Sequence, residues 1–232
     1  MNARAVGPAF VAIAVVAVAV TAAFAFAPPS AGKPAFWLLA AGPTVLLAVV
    51  AAVWAHREEL LREWLTPRWG DFTRGVVSAV LLVAVAWAFT RLVLPVGSPR
   101  EIWIVTLYGQ IGDPRQLQAH APVVGGVIVV TAVAEELLWR GAVTQMLADR
   151  VGTRTAWIWA AVLYALAYVP TWWSLRGGGT GSLDPVLSVG ALGAGLLWGA
   201  MARAWGRLVP GMIAHVFFDW AVVMMFPLWG PR

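Results

Sequence analysis

Apolar residues in this chain run in long blocks, and the polar residues are gathered into short connections between them. Seven blocks, at about 6–27, 36–55, 75–96, 122–148, 155–173, 185–204 and 208–228, can be drawn. Each reaches the roughly 20 residues that a helix needs to cross about 30 Å of hydrocarbon. The pattern predicts an all-α, polytopic membrane helix bundle with about seven transmembrane helices. Only Trp205, Gly206 and Arg207 separate the last two blocks, which predicts an antiparallel helical hairpin. At the other end, Arg4 precedes an apolar run that closes in the small residues AFAFAPPSAG, as in a signal peptide. That run is long for a signal sequence and the next block follows closely, so a retained helix is expected.

The connections differ in kind. The segment 56–74 (HREELLREWLTPRWGDFTR) mixes charges at spacings that suit a short interfacial helix. The stretch 97–121 contains Pro99, Gly109, Gly112 and Pro114 and reads as a loop or a re-entrant piece. GGGTGS at 177–182 reads as a flexible connection, because no Gly-Lys-Ser/Thr ends it as a phosphate loop requires. Gly195 and Gly199, with Ala191 one turn earlier, form a small-residue stripe expected to pack within the bundle.

Composition supports the membrane assignment and narrows the chemistry. Hydrophobic residues make up 61% of the 232 and charged residues 12%, with a mean hydropathy of +0.79. The absence of cysteine excludes disulfides, thiolate nucleophiles and cysteine metal sites. A net charge of +5 would point a soluble protein towards nucleic acid, but here the arginines lie in the connections. They read as orientation signals and anionic-lipid contacts, and no nucleic-acid partner is expected. With the N-terminus inside, Arg4, Arg57, Arg62, Arg68, Arg74, Arg150, Arg154, Arg203 and Arg207 would be cytoplasmic. Lys33, Arg100, Arg115, Arg176 and Arg232 would lie opposite, which favours a cytoplasmic N-terminus in the cell membrane.

A few polar groups lie inside the blocks. An ionised side chain near the bilayer centre costs roughly 2.5–3.5 kcal/mol on insertion scales, so such residues mark function by default. Glu135, Glu136 and Arg140 fall together in EELLWR. Glu136 and Arg140 are four apart and can pair on one helix face. Glu135 points about 100° away, free to serve as a general base for water. His215 and Asp219 are one turn apart in HVFFD, and Tyr164 and Tyr168 share a face in YALAY. By themselves such sets also occur as packing networks or as proton pathways in carriers. Other intramembrane designs lack their residues: no Gly-x-Ser-Gly element, no second membrane aspartate and no HExxH are present. With so few candidate ligands, no metal or other cofactor is expected.

EELLWR followed by Gly141, and HVFFD preceded by PGMIA, resemble the first and third motifs of the CPBP group. That group includes CAAX prenyl proteases of the Rce1 kind and bacterial Abi proteins. The resemblance covers roughly 122–228, so residues 1–121 read as N-terminal transmembrane helices and loops, and 122–232 as a CPBP/Abi-like core. It implies a glutamate-dependent intramembrane endopeptidase that cleaves a peptide or protein in or near the membrane. Glu135 would activate water, and Glu136 held by Arg140 would support the site. His215 and Asp219 would stabilise the oxyanion or orient the carbonyl. The second motif departs from the family pattern: in YALAYVP, Tyr164 replaces a phenylalanine and Tyr168 the water-binding histidine. A phenol hydrogen-bonds water but is a poor proton acceptor near neutral pH. The departure leaves a second reading, a catalytically impaired relative acting as a membrane binding or immunity-type factor, and a third, a proton-coupled carrier.

Overall fold

A computed structural model describes residues 3–176 and 183–225, with side chains from residue 7 onwards. The connection at 177–182 and the chain end lie outside the described residues. Among the described residues every regular element is helical. In chain order these are α1 (Ala3–Ala25), a 3₁₀ turn (Pro28–Ser30), α2 (Pro34–Arg57), α3 (Leu60–Leu65), α4 (Asp71–Leu92), α5 (Glu101–Ile111) and α6 (Pro114–Ala119). Then follow α7 (Ala121–Glu135), a π-helical segment (Glu136–Val143), α8 (Thr144–Val151), α9 (Ala156–Ala167), α10 (Thr171–Ser174), α11 (Val186–Trp205) and α12 (Val209–Met224).

Among the described residues, five helices are long and apolar enough to cross a membrane: Gly7–Ala25, Pro34–Arg57, Asp71–Leu92, Ala121–Val151 and Val186–Trp205. The fourth is α7, the π segment and α8 run together. Large apolar side chains stand outward on the first three, among them Phe24, Leu38, Leu46 and Val85. In water such a surface would be a liability; in a bilayer it is the solvent-facing side. The chain is an integral membrane helix bundle.

Two expectations change. The block at 155–173 is a broken helix, because α9 ends at Ala167 and α10 begins at Thr171. Pro170 is the cause: it has no N–H to give and its ring clashes with the carbonyl four residues back. The stretch 97–121, expected as a loop or a re-entrant piece, is no irregular loop: it holds α5 and α6. Glycines lie only at the margins of α5, while Pro114 sits in the first turn of α6, where its missing N–H is harmless. Tyr108 fastens α5 to the bundle by donating to the Val222 carbonyl at 2.7 Å.

The N-terminal helices interleave with the rest. α4 lies along α12, α2 along α7, and α1 against α2 and α9. The α4–α12 crossing is tight, since a Cβ on Gly75 would lie 2.5 Å from Ile213 Cγ2 and 3.0 Å from the Pro210 carbonyl oxygen. The stripe on α11 packs as its composition implies, with Gly195 against Ala161 and Gly199 against Trp157 on α9. Between α11 and α12 the chain reverses through Gly206, whose φ of 65° is left-handed and suits glycine.

Burial also singles out Asp184, fully enclosed just before α11. Its Oδ1 accepts from the Val186 N–H at 3.0 Å, while Oδ2 has no partner. Burial pushes the carboxyl up from its ordinary 3.8 to about 6, with the Val186 bond opposing. The folded chain thus holds this proton more tightly than the unfolded one, so stability falls as pH rises from about 4 to about 6. Asp184→Asn keeps the acceptor and removes the charge. We expect it to stabilise the protein by about 1–2 kcal/mol at pH 7.5 and to be neutral at pH 4. Thermal unfolding in detergent at the two pH values checks this.

Candidate active site

The middle of the long Ala121–Val151 helix carries the first motif, and there the α-helix gives way to π-helical turns over Glu136–Val143. The Thr144 hydroxyl donates to the Trp139 carbonyl five residues back, at 2.8 Å. Gly141 sits beneath the Trp64 indole, where a Cβ would come within 2.7 Å of the ring. Inserted π turns re-aim side chains and recur at functional sites. Here they begin between the two glutamates, which diverge.

Glu136, fully buried, turns towards Arg140 and α12. Arg140 Nη1 lies 3.2 Å from Glu136 Oε1, and His215 Nδ1 lies 3.1 Å from the same oxygen. Gly211 makes room for this carboxylate, since a Cβ there would sit 2.9 Å from Oε2. Arg140 is buried as well, its guanidinium 4.5 Å from the Tyr164 ring centre and 5.0 Å from that of Trp198. Two aromatic faces and one carboxylate thus hold its charge away from water.

Glu135 turns towards α9. Tyr164 donates to its Oε2 at 2.5 Å and Tyr168 to its Oε1 at 3.2 Å. Both phenols reach it because they lie four residues apart and so share a face of the chain entering the break before Pro170. His215 Nε2 stands 3.6 Å from Glu135 Oε2 and 3.4 Å from Asp219 Oδ2. The Asp219 side chain is about 30% exposed, whereas those of His215 and Glu135 are nearly closed off.

All six residues singled out from the sequence therefore fall in one neighbourhood, drawn from α7, the π segment, the end of α9, and α12. Glu135, Tyr168, His215 and Asp219 line the head of a cavity of about 480 Å³. Its walls are mostly apolar, and about half of them come from the N-terminal half, including Phe26, Phe36, Trp37, Phe89 and Leu107. His56 and His120 are not among its lining. Among the described residues no group of three or more His, Asp and Glu side chains is arranged to hold a metal ion.

Two participants escaped the sequence reading. Tyr164 stood there as a mild replacement for phenylalanine, yet its hydroxyl makes the shortest contact to Glu135. The YALAY spacing was the available signal. Trp198 carried none, lying on α11 outside every motif.

Comparison with known proteins gives a family match. Residues 117–221 match the family described as type II CAAX prenyl endopeptidase Rce1-like. No curated protein and no solved structure matches the chain. The matched segment contains Glu135, Glu136, Arg140, Tyr164, Tyr168, His215 and Asp219. Residues 117–221 form an Rce1-like region, consistent with the CPBP family and, at that level, with a CAAX-type intramembrane protease.

Proposed function

We propose that the protein is an intramembrane endopeptidase that cleaves a membrane-embedded or membrane-proximal peptide with water activated by Glu135. The observation that carries this reading is the convergence of Glu135, Tyr168, His215 and Asp219 at the polar head of one apolar-walled cavity. Glu135 takes a proton from water as the oxygen attacks the scissile carbonyl, then returns it to the departing amine. His215 is held by Glu136 at Nδ1, and its Nε2, only loosely engaged by Asp219 at 3.4 Å, is the donor offered to the developing oxyanion. Asp219, when ionised, accepts hydrogen bonds only, so it orients His215 and does not itself donate. The two phenols hold the Glu135 carboxylate and can place the water beside it. Binding energy comes from apolar substrate groups entering the cavity.

The N-terminus and the arginine-rich connections would face the cytoplasm, in the cell membrane. In support, those connections meet at one end of the bundle: Arg207 pairs with Asp71, and Arg203 Nη1 donates to the Arg154 carbonyl.

The test uses the full-length protein in vesicles, incubated with a farnesylated CAAX peptide and with single-span membrane peptides, beside Glu135→Gln. Cleavage by the wild type and its loss in the variant support the reading. Equal turnover by the two proteins, or none by the wild type, sinks it.

A second reading, a non-catalytic membrane binding factor, is favoured by one observation. Both Glu135 oxygens already accept from phenols, at positions where the family motif carries phenylalanine and histidine. Tyr168→His separates the two: a gain in cleavage supports the peptidase, whereas no gain together with an inert wild type supports the binding factor.

A further inference from the structure

We infer that Trp198 is a positioning residue that sets the plane of the His215 imidazole and so keeps it aimed between Glu136 and Asp219. The inference rests on the peptidase reading for its kinetic consequence, and on the stacked geometry alone for its spectroscopic one.

The Trp198 and His215 rings lie 3.7 Å apart at 20°, a stacked pair. Trp198 is about 1% exposed, with Phe218 against it edge-on at 6.1 Å. The indole therefore has little freedom of its own, and it passes that rigidity to the imidazole. Polar contacts alone leave His215 under-determined. Only Nδ1, 3.1 Å from Glu136, is at ordinary hydrogen-bond distance. The Nε2 contacts to Asp219 and Glu135, at 3.4 and 3.6 Å, are long. A histidine ring turns about a broad, roughly two-fold torsion, so one good bond on one edge fixes a pivot but not a plane. The stacked indole closes the out-of-plane path.

α11 is well built to supply this face. Gly195, one turn before Trp198, admits the Arg140 guanidinium, since a Cβ there would lie 3.2 Å from Nη2. Trp198 thus lies against both cationic or potentially cationic side chains of the site, Arg140 and His215. A helix without a motif residue becomes the template on which two motif residues are laid.

The experiment compares the full-length wild type with Trp198→Leu and Trp198→Phe. On whichever peptide the wild type cleaves, Trp198→Leu is expected to lower kcat by about 30–100-fold, the range expected when a catalytic group is misplaced by about 1 Å. Trp198 also lines the cavity, so KM is expected to rise, but by a smaller factor than kcat falls. Trp198→Phe, which retains a stacking face, should recover most of kcat. A raised KM with unchanged kcat, or a Phe variant no better than Leu, would overturn the inference. A second measurement needs no turnover. With only three histidines in the chain, isotope-labelled histidine gives a resolvable NMR spectrum, and His215→Gln assigns the signal. His215 ring protons should be displaced upfield by the indole in the wild type and in Trp198→Phe, and should lose that displacement in Trp198→Leu. Undisplaced His215 signals in the wild type would overturn the stacking whatever the enzyme assay gives. Active Glu135→Gln, by contrast, overturns the peptidase mechanism and leaves the stacking result standing.

Discussion

Glu135→Gln is expected to lower cleavage by about 10²–10⁴-fold, the usual contribution of a positioned general base, while leaving the bundle folded. The substitution is nearly isosteric and its amide oxygen still accepts from one phenol. The lost property is the capacity to take a proton from water and return it to the amine. The nearest other groups able to take a proton are His215, 3.6 Å from Glu135, and Asp219 beyond it, and in the proposed mechanism these are committed to the oxyanion side. Initial rates on a peptide cleaved by the wild type, together with unchanged thermal unfolding, check both halves. A rate loss accompanied by unfolding would assign Glu135 to the scaffold.

Arg140→Leu should destabilise the protein by roughly 3–5 kcal/mol, because it leaves a fully enclosed carboxylate without its cation. Glu136 has no route to water, and its Oε2 already lacks a partner. Arg140→Lys is a poor repair: an ammonium keeps the charge but cannot lie flat against the Tyr164 and Trp198 rings. Removing both charges, as Glu136→Leu with Arg140→Leu, should cost clearly less than the sum of the single changes. A double-mutant cycle measured by chemical unfolding in micelles reads that coupling. Additive losses would mean that the two side chains are not energetically paired.

A smaller effect is expected at the arginine-rich end of the bundle. Asp71 starts α4 and is held by Arg207 at 3.0 Å and 2.5 Å, and by the Arg68 N–H at 2.8 Å. This cluster ties α4 to the turn between α11 and α12, the pair of helices that must keep His215 in place. Asp71→Ala should cost about 2–3 kcal/mol, as charge-assisted bonds of this kind do when one partner is lost. Thermal unfolding measures it, and a loss below about 0.5 kcal/mol would show the cluster to be an ordinary surface pair.

Much of the site was legible along the chain because membrane helices leave polar residues nowhere neutral to sit. Glu136 and Arg140, four apart, announced their pairing, and His215 and Asp219 did likewise. The acidic pair of Glu135 and Glu136 could be divided into two directions from helix geometry before any contact was seen. The α5 helix was missed because its flanking glycines and prolines resemble those of a loop, and the anchoring Tyr108–Val222 bond spans 114 residues of sequence. The break at Pro170 was passed over because the apolar run continues through it.

By itself, then, the sequence determined an all-helical membrane protein, the family resemblance of its second half, and the polar residues that gather at the candidate site. Those properties are written in composition and in spacings of four residues, which local helix geometry converts directly into shared faces. Only the tertiary structure decided that the helix turns π between the two glutamates, that Tyr164 and Tyr168 both reach Glu135, and that Trp198 lies flat on His215. These depend on which helix packs beside which, and on glycines that let side chains approach, and such contacts between distant segments have no period along the chain from which they could be read.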